Sequence, residues 1–275
     1  MSNKKSIIRD NGCKPCSVCC KLIHNDHINK EIFRLVFMYT GAAPRAGQFF
    51  MVKPKRSSVF LGRPISVAAW KQSAESSTLT FLIALRGKGT REMASMRIGD
   101  EAELIGPLGN AWADFLPPLQ NSRNKPMALV GGGIGIAPIN ALLGESPGQT
   151  FDLYAGFKTG FSGNEEKNAL MDAALVNSKK IIIASEDGKS GEKGLITGFL
   201  EPEKYAAVCA CGPEPMLKAV AAKCRAAGVP CFISMERRMA CGVGACLGCT
   251  VKTVHGNRRC CADGPIFNAE DINND

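Results

Sequence analysis

The sequence predicts an α+β, multi-domain protein: an antiparallel β-barrel, then an α/β domain on a parallel sheet, then a short cysteine-rich C-terminal segment. Three observations predict it. Between positions 32 and 106, short apolar runs are punctuated by Gly, Pro or Ser, the pattern of a small antiparallel barrel. From Lys125 onward, strand-like and helix-like stretches alternate, which builds a parallel sheet covered by helices. Near the C-terminus, Cys241, Cys246 and Cys249 stand in C-x4-C-x2-C spacing, with Cys260 and Cys261 beyond. A chain of 275 residues is long enough for two domains and a small third. The predicted boundaries are an N-terminal cysteine-containing extension at 1–29, the barrel at 30–118, the α/β domain at 125–235 and the C-terminal segment at 236–275.

Taken in order, residues 1–16 are polar and basic. Cys13, Cys16, Cys19 and Cys20 then fall close together, with His24 and His27 just beyond. They read either as a second metal site or as local thiols. Positions 17–24 also read as a short strand, which would point Cys19 and Cys20 to opposite faces. The barrel strands are expected at 32–39, 48–52, 65–70, 79–85 and 101–105. A helix at 91–96 interrupts them, with Thr90 as its N-cap. Gly87, Lys88 and Gly89 precede it, and free N–H groups at such a start suit a phosphate. Positions 116–125, rich in Pro, Asn and Gln, read as a linker. Then come strands at 127–130, 151–156, 181–184, 206–210 and 231–235, and helices at 139–143, 164–175 and 214–227. Pro138 is expected at the first helical position after the Gly131–Gly135 turn. No internal repeat is evident.

Composition narrows the classes. The hydrophobic fraction is 45% and the charged fraction 21%, ordinary for a globular protein with a sizeable core. The thirteen cysteines are not ordinary. The first 26 residues lack the apolar h-region of a secretory signal, and no run approaches the roughly 20 apolar residues of a spanning helix. The expectation is therefore a cytoplasmic chain off the membrane, whose clustered cysteines serve metal or catalysis. The net charge of +9 is scattered, with small groups at Lys53–Arg56 and Arg258–Arg259. No aromatic residues interleave with them, which argues against nucleic acid and for a solvated basic surface that attracts phosphates or an acidic partner.

The C-terminal cysteines carry the strongest signal. C-x4-C-x2-C followed by a distant fourth cysteine is the plant-type [2Fe–2S] spacing. Gly242, Gly244 and Gly248 fit a loop that turns tightly and brings N–H groups to sulfur. Zinc or buried structural thiols are the alternatives; zinc ligands usually come as two short paired units. The adjacent Cys260 and Cys261 leave the fourth ligand ambiguous. Upstream, Arg63-Pro64-Ile65-Ser66 is either an exposed strand end or a charged fork and a hydroxyl offered to a ligand. Gly131-Gly132-Gly133-Ile134-Gly135-Ile136 departs from G-x-G-x-x-G, with Ile136 where Gly is wanted. It is either a structural turn or a backbone brought close to a pyrophosphate at a helix start. Cys211-Gly212-Pro213-Glu214 is a second strand–loop–helix turn, and both belong at the carboxyl ends of parallel strands.

This ordered set resembles the ferredoxin–NADP reductase superfamily. With Glu236 through Cys249 and Cys261-Ala262-Asp263-Gly264-Pro265 added, it resembles the electron-transfer subunits of class 1B dihydroorotate dehydrogenases, over about residues 30–270. The resemblance implies an FAD-binding barrel, an NAD-binding α/β domain and a [2Fe–2S] segment. It implies FAD on Arg63, Pro64, Ile65 and Ser66, with Gly87, Lys88, Gly89 and Thr90 at its pyrophosphate. It implies the nicotinamide cofactor on Gly131, Gly132, Gly133, Ile134 and Gly135, and Cys211 as the catalytic residue beside the hydride path. It implies a cluster on Cys241, Cys246, Cys249 and Cys261, between the FAD and a partner's FMN. The implied partner is an FMN-containing dihydroorotate dehydrogenase catalytic subunit, in a heterotetramer. Glu186 and Asp187 after the 181–184 strand favour NADH, since acids there repel a 2′-phosphate; alternatively they cap a turn. Rival readings are a stand-alone NAD(P)H diaphorase, the small subunit of a ferredoxin- or sulfide-linked oxidoreductase, or a non-enzymatic thiol or metal redox sensor.

Overall fold

The computed structural model describes residues 16–73, 77–116, 125–146 and 151–273. Six antiparallel strands close a barrel: β1 (Cys16–His27), β2 (Ile32–Tyr39), β3 (Phe49–Pro54), β4 (Arg63–Lys71), β5 (Ser77–Ala84) and β6 (Glu101–Leu108), in the order β1-β2-β5-β4-β3-β6. Side chains alternate along each strand. In β2, Phe33, Leu35, Phe37 and Tyr39 turn inward and join Phe50, Phe81 and Leu104 in the barrel core.

The barrel begins earlier than the sequence suggested. Position 30 was the expected start, but β1 pairs with β2 through Lys21 and Met38, and with β6 through Cys20 and Ala102. Without it, β2 and β6 would be open edges. Cys20 and Leu22 face the core, while Cys16 and Cys19 are exposed. Among the described residues, these thiols belong to no group of three or more potential metal ligands. Cys13 lies outside the described residues, as does most of the expected linker.

A short helix, α1 (Lys88–Ala94), interrupts the barrel. Its N-cap is Gly87 rather than Thr90. Thr90 sits one turn in, and its Oγ1 accepts the N–H groups of Arg86 at 2.9 Å and Gly87 at 3.1 Å. The hydroxyl therefore secures the approach to the helix rather than its first turn.

The second half alternates as expected: β7 (Met127–Gly132), α2 (Ile136–Glu145), β8 (Phe151–Phe157), α3 (Asn164–Asn177), β9 (Ser178–Ser185), β10 (Glu192–Lys193), β11 (Val208–Cys211), α4 (Glu214–Ala227) and β12 (Cys231–Ser234). Pro138 is the third residue of α2, not the first, because a 3₁₀ turn at Gly133–Gly135 intervenes. Beyond β12 lie a hairpin, β13 (Thr250–Thr253) and β14 (Gly256–Arg259), and a last strand, β15 (Ile266–Asn268). The sheet order is β10-β9-β8-β7-β11-β12-β15. All its pairings are parallel except that of β15, which runs antiparallel to β12. The C-terminal segment is thus stitched into the sheet edge.

Two features seat the site. Strand β7 lies between β8 and β11, so the chain reverses its winding there and leaves a crevice at the carboxyl ends. The apolar face of α2 packs with Ala68 and Leu82 of the barrel and with Trp112. No helix among the described residues is long and apolar enough to cross a membrane.

Candidate functional site

A cavity of about 280 Å³ opens where the barrel, the sheet and the C-terminal segment meet. Its barrel wall is Arg63, Pro64, Ile65 and Ser66 from β4, with Leu82 and Ile83 from β5. Thr90 and Arg86 add the start of α1; Ile134 and Gly135 add the turn after β7; Cys211 ends β11; Ser234, Glu236 and Arg237 close the far side. Four separate stretches singled out in the sequence therefore converge.

The polar end is held by Arg63. Its Nη1 donates to the carbonyls of Leu61 at 3.0 Å and Gly62 at 3.2 Å. A Cβ at Gly89 would lie 2.7 Å from Arg63 Nε, so glycine there lets α1 close on the guanidinium. Gly87, Lys88 and Gly89 flank the cavity without lining it. On the sheet side the glycines divide their work. Gly131 and Gly132 are buried at the end of β7. Gly133 takes a φ of +53°, where glycine carries no Cβ penalty. A Cβ at Gly135 would lie 2.2 Å from the Cys211 carbonyl oxygen, so the two turns touch backbone to backbone only because this residue is glycine.

Cys211 is 4% exposed. Burial first, and the Glu236 carboxylate second, push its thiol up to about 12, while a hydrogen bond with Ser234 opposes them. It is a neutral thiol at the wall, not a thiolate nucleophile. Glu236 is exposed at the mouth, yet desolvation still raises its carboxyl above the usual range, with Arg86 opposing. Arg86 and Ser234 escaped the sequence reading, and Glu236 entered it only as the first residue of the C-terminal motif, with no role at a cavity. The rule that ligands gather at carboxyl ends of parallel strands points to Ser234 and Glu236, which end and follow β12. Of the acidic pair after β9, Asp187 is engaged: its Oδ1 accepts from Gly160 at 3.0 Å and Lys189 at 3.1 Å. Those bonds, Lys189 foremost, lower its pKa. Glu186 is exposed.

The cysteine loop lies beside this cavity. Gly242 and Gly244 have φ of +72° and +81°; the third left-handed residue is Leu247 at +59°, not Gly248. These turns aim N–H groups at sulfur. Gly244 donates to Cys261 Sγ at 3.1 Å, Cys246 to Cys241 Sγ at 3.4 Å and Cys261 to Cys249 Sγ at 3.4 Å. Against desolvation, the N–H groups of Cys246 and Val243 bring the Cys241 thiol down to about 6. The thiols influence one another as two pairs, Cys241 with Cys246 and Cys249 with Cys261. Among the described residues, no three potential ligands converge as a single metal ion requires. Two thiol pairs with N–H donors suit a two-iron group better than one tetrahedral zinc.

The adjacent cysteines separate by direction. Cys260 is fully buried, and its Sγ donates to the Met235 carbonyl at 3.1 Å. Cys261 faces the loop and accepts from Gly244. Burial pushes both thiols up to about 12, so titration does not distinguish them and geometry does. Asn110 ties this segment to the barrel. Its side chain donates to the carbonyls of Asp263 at 3.1 Å and Ile266 at 2.8 Å, and accepts from Ile266 N at 3.0 Å.

Comparison with known proteins gives a consistent set of likenesses. Residues 236–273 match the family model described as the iron-sulfur cluster binding domain of dihydroorotate dehydrogenase B. A Clostridium perfringens protein named dihydroorotate dehydrogenase B (NAD(+)), electron transfer subunit, is 40% identical over 252 residues, spanning 92% of this chain and 96% of that one. The structure of an NADH-dependent reduced ferredoxin-NADP oxidoreductase superposes with a TM-score of 0.74 at 25% identity, over 92% of this chain and 89% of the other. A Neisseria gonorrhoeae ferredoxin NADP+ reductase, solved with FAD and NADP, has a TM-score of 0.61 at 20% identity, over 82% and 95%.

Proposed function

The chain belongs to the family of electron-transfer subunits of dihydroorotate dehydrogenase B, and from that premise we propose that it passes electrons between an FMN-containing dihydroorotate dehydrogenase catalytic subunit and NAD, in pyrimidine biosynthesis. The complex is a cytoplasmic heterotetramer. One observation carries the reading: the cavity and the cysteine loop are a single side chain apart. Met51 pairs with Pro64 of the cavity wall, and a Cβ on Gly242 of the loop would lie 2.6 Å from Met51 Cγ. A relay between two-electron and one-electron chemistry needs that proximity.

FAD held by these cavity residues would supply the exchange between hydride chemistry with a nicotinamide and single-electron chemistry with an iron–sulfur centre. The chain's own residues bind and orient. Arg63 offers a charged fork to a phosphate or a flavin carbonyl, and Ser66 a hydroxyl to the ring edge. The start of α1, from Gly87 to Thr90, receives the pyrophosphate. The turn from Gly131 to Gly135 brings backbone close to the nicotinamide dinucleotide. Neutral Cys211 packs against the hydride path without taking a proton. Glu186, left free by Asp187, accepts from an unphosphorylated ribose and favours NAD. Cys241, Cys246, Cys249 and Cys261 would hold the [2Fe–2S] cluster, and the N–H groups aimed at Cys241, Cys249 and Cys261 favour thiolate there.

Reconstitution tests it. Dihydroorotate should reduce NAD only when this flavin-loaded chain and the catalytic subunit are mixed. A purified chain without flavin absorbance, or NAD reduction indifferent to this chain, would overturn the reading. The likeness to the NADH-dependent reduced ferredoxin-NADP oxidoreductase supports a second reading, a ferredoxin-linked or stand-alone NAD(P)H diaphorase. Tight co-purification with an FMN-containing barrel separates the two.

A further inference from the structure

The turn between β1 and β2 is shaped by Asn29. Its Oδ1 accepts the N–H groups of Glu31 at 2.8 Å and Ile32 at 2.7 Å, so the side chain closes the turn on its own backbone. The Glu31 carbonyl in turn accepts from Leu85 N at 2.7 Å. Leu85 directly precedes Arg86 of the cavity wall. The turn is therefore fixed to the flavin side of the molecule.

The other end of the same amide crosses to the second half of the chain. Asn29 Nδ2 donates to Glu166 Oε1 at 2.6 Å. Glu166 lies in the first turn of α3, and its second oxygen accepts Ser162 N at 2.7 Å. Against desolvation, the Ser162 N–H and the Asn29 amide lower its pKa, so it is a charged acceptor and both bonds are the stronger for it. Ile28 and Ile32 of the turn and Phe161 beside Ser162 pack on the same apolar cluster as α2.

Beyond Ser162 the bonds continue along the sheet edge. Gly160 N donates to Asp187 Oδ1 at 3.0 Å, Phe161 N to Ser190 Oγ at 2.8 Å and Glu186 N to the Phe157 carbonyl at 3.1 Å. A Cβ at Gly160 would lie 2.7 Å from Ser190 N. The loops after β8 and β9 are thus knitted into one body, and Glu166 ties that body to the barrel. Both loops leave the carboxyl ends of their strands, and β8 and β9 lie on the side of β7 away from β11 and Cys211. A dinucleotide with its pyrophosphate at the turn after β7 and its nicotinamide at Cys211 lays its adenosine over these loops.

We propose that Asn29 is a positioning residue for the nicotinamide dinucleotide: through Glu166 it clasps the loops after β8 and β9 to the barrel and holds the adenosine half of the crevice in register with the flavin cavity. The inference rests on the electron-transfer reading above. It adds to that reading a residue of the barrel that touches neither the cavity nor the glycine turn.

The test is calorimetric titration of the purified holo chain with ADP-ribose, which carries the adenosine and pyrophosphate but no ring to take a hydride, beside NADH-to-dye kinetics. Asn29→Asp keeps the acceptor that closes the turn but replaces the crossing donor with a charge facing Glu166. It should raise the ADP-ribose dissociation constant and KM for NADH about three- to tenfold, the scale of one hydrogen bond, with kcat and flavin content near wild type. Glu166→Gln, which can no longer accept from both Asn29 and Ser162, should act in the same direction. Asn29→Asp combined with Glu166→Gln rebuilds the crossing bond with donor and acceptor exchanged, and should recover most of the loss. Unchanged ADP-ribose binding in the single variants would overturn the clasp and leave the electron-transfer reading intact. A loss that the double variant does not recover, or an equal loss of flavin, would overturn it too, since the contact would then only support the fold. A wild-type holo chain that binds neither ADP-ribose nor NADH would overturn the electron-transfer reading, and the clasp with it. Glu166→Gln leaves the Asn29 turn untouched, so it decides the matter even if Asn29→Asp folds poorly.

Discussion

At the scale of the residue, two neighbours of identical chemistry have opposite fates. Spacing in the sequence does not separate Cys260 from Cys261; the resemblance picks Cys261, and direction agrees, one thiol pointing toward Met235 and the other toward the loop N–H of Gly244. Cys261→Ser should lose the visible and paramagnetic signature of the cluster, whereas Cys260→Ser should keep it. The reverse result would reassign the fourth ligand. Glu236 supports a test in pH. Desolvation raises its carboxyl, so it stays neutral where an ordinary carboxylate is already charged. Glutamine copies that neutral form. The NADH-to-dye rates of wild type and Glu236→Gln should coincide below the raised value and separate as pH rises through it, because only wild type then gains a negative charge beside Cys211. Parallel profiles would exclude this residue from the chemistry. The sequence marked Glu236 only as part of a motif; its place beside Cys211 and Arg86 was not legible, because only the fold brings them near.

At the scale of the element, the strands and α4 were readable because their apolar periods were clean, and α4 begins and ends where its pattern does. Strand β1 was partly legible: positions 17–24 read as a short strand with Cys19 and Cys20 on opposite faces, as found, but its place in the barrel shows only in the closure between β2 and β6. The glycine turn after β7 was legible as a turn, but the division of labour among its glycines was not, since that depends on what lies opposite. Gly135→Ala places a Cβ against the Cys211 carbonyl and should cost about 1–3 kcal/mol of stability as overpacking, while also raising KM for NADH. Gly133→Ala meets open space and should cost only the left-handed backbone penalty, about 1–2 kcal/mol. Denaturant midpoints and steady-state kinetics on both variants check this, and a KM for NADH that rises as much in Gly133→Ala as in Gly135→Ala would contradict it. Asn110→Ala removes three side-chain hydrogen bonds between the barrel and the C-terminal segment. It should destabilise by about 2–3 kcal/mol and speed cluster loss on dilution, read as decay of visible absorbance.

At the scale of the molecule, the order of the parts was legible from the chain alone, because barrel, alternating domain and cysteine loop each carry their own local pattern. Their meeting at one cavity was not, since it requires long-range packing through α2 and Met51. Cys246→Ser tests the arrangement as a whole. It should leave FAD binding and NADH-to-dye turnover near wild type while cutting dihydroorotate-linked NAD reduction severely; equal loss of both would mean that the cysteine loop does not lie at the exit of the path. Strand β15 carries a last consequence. It sews the chain's end to the edge of the nucleotide sheet, while Asn110 moors the same segment to the barrel. The cysteine loop is therefore a strut between two bodies rather than an appendage of either. A displacement of the sheet relative to the barrel would have to strain that mooring or slide the loop across Met51, and so would be felt at the thiols.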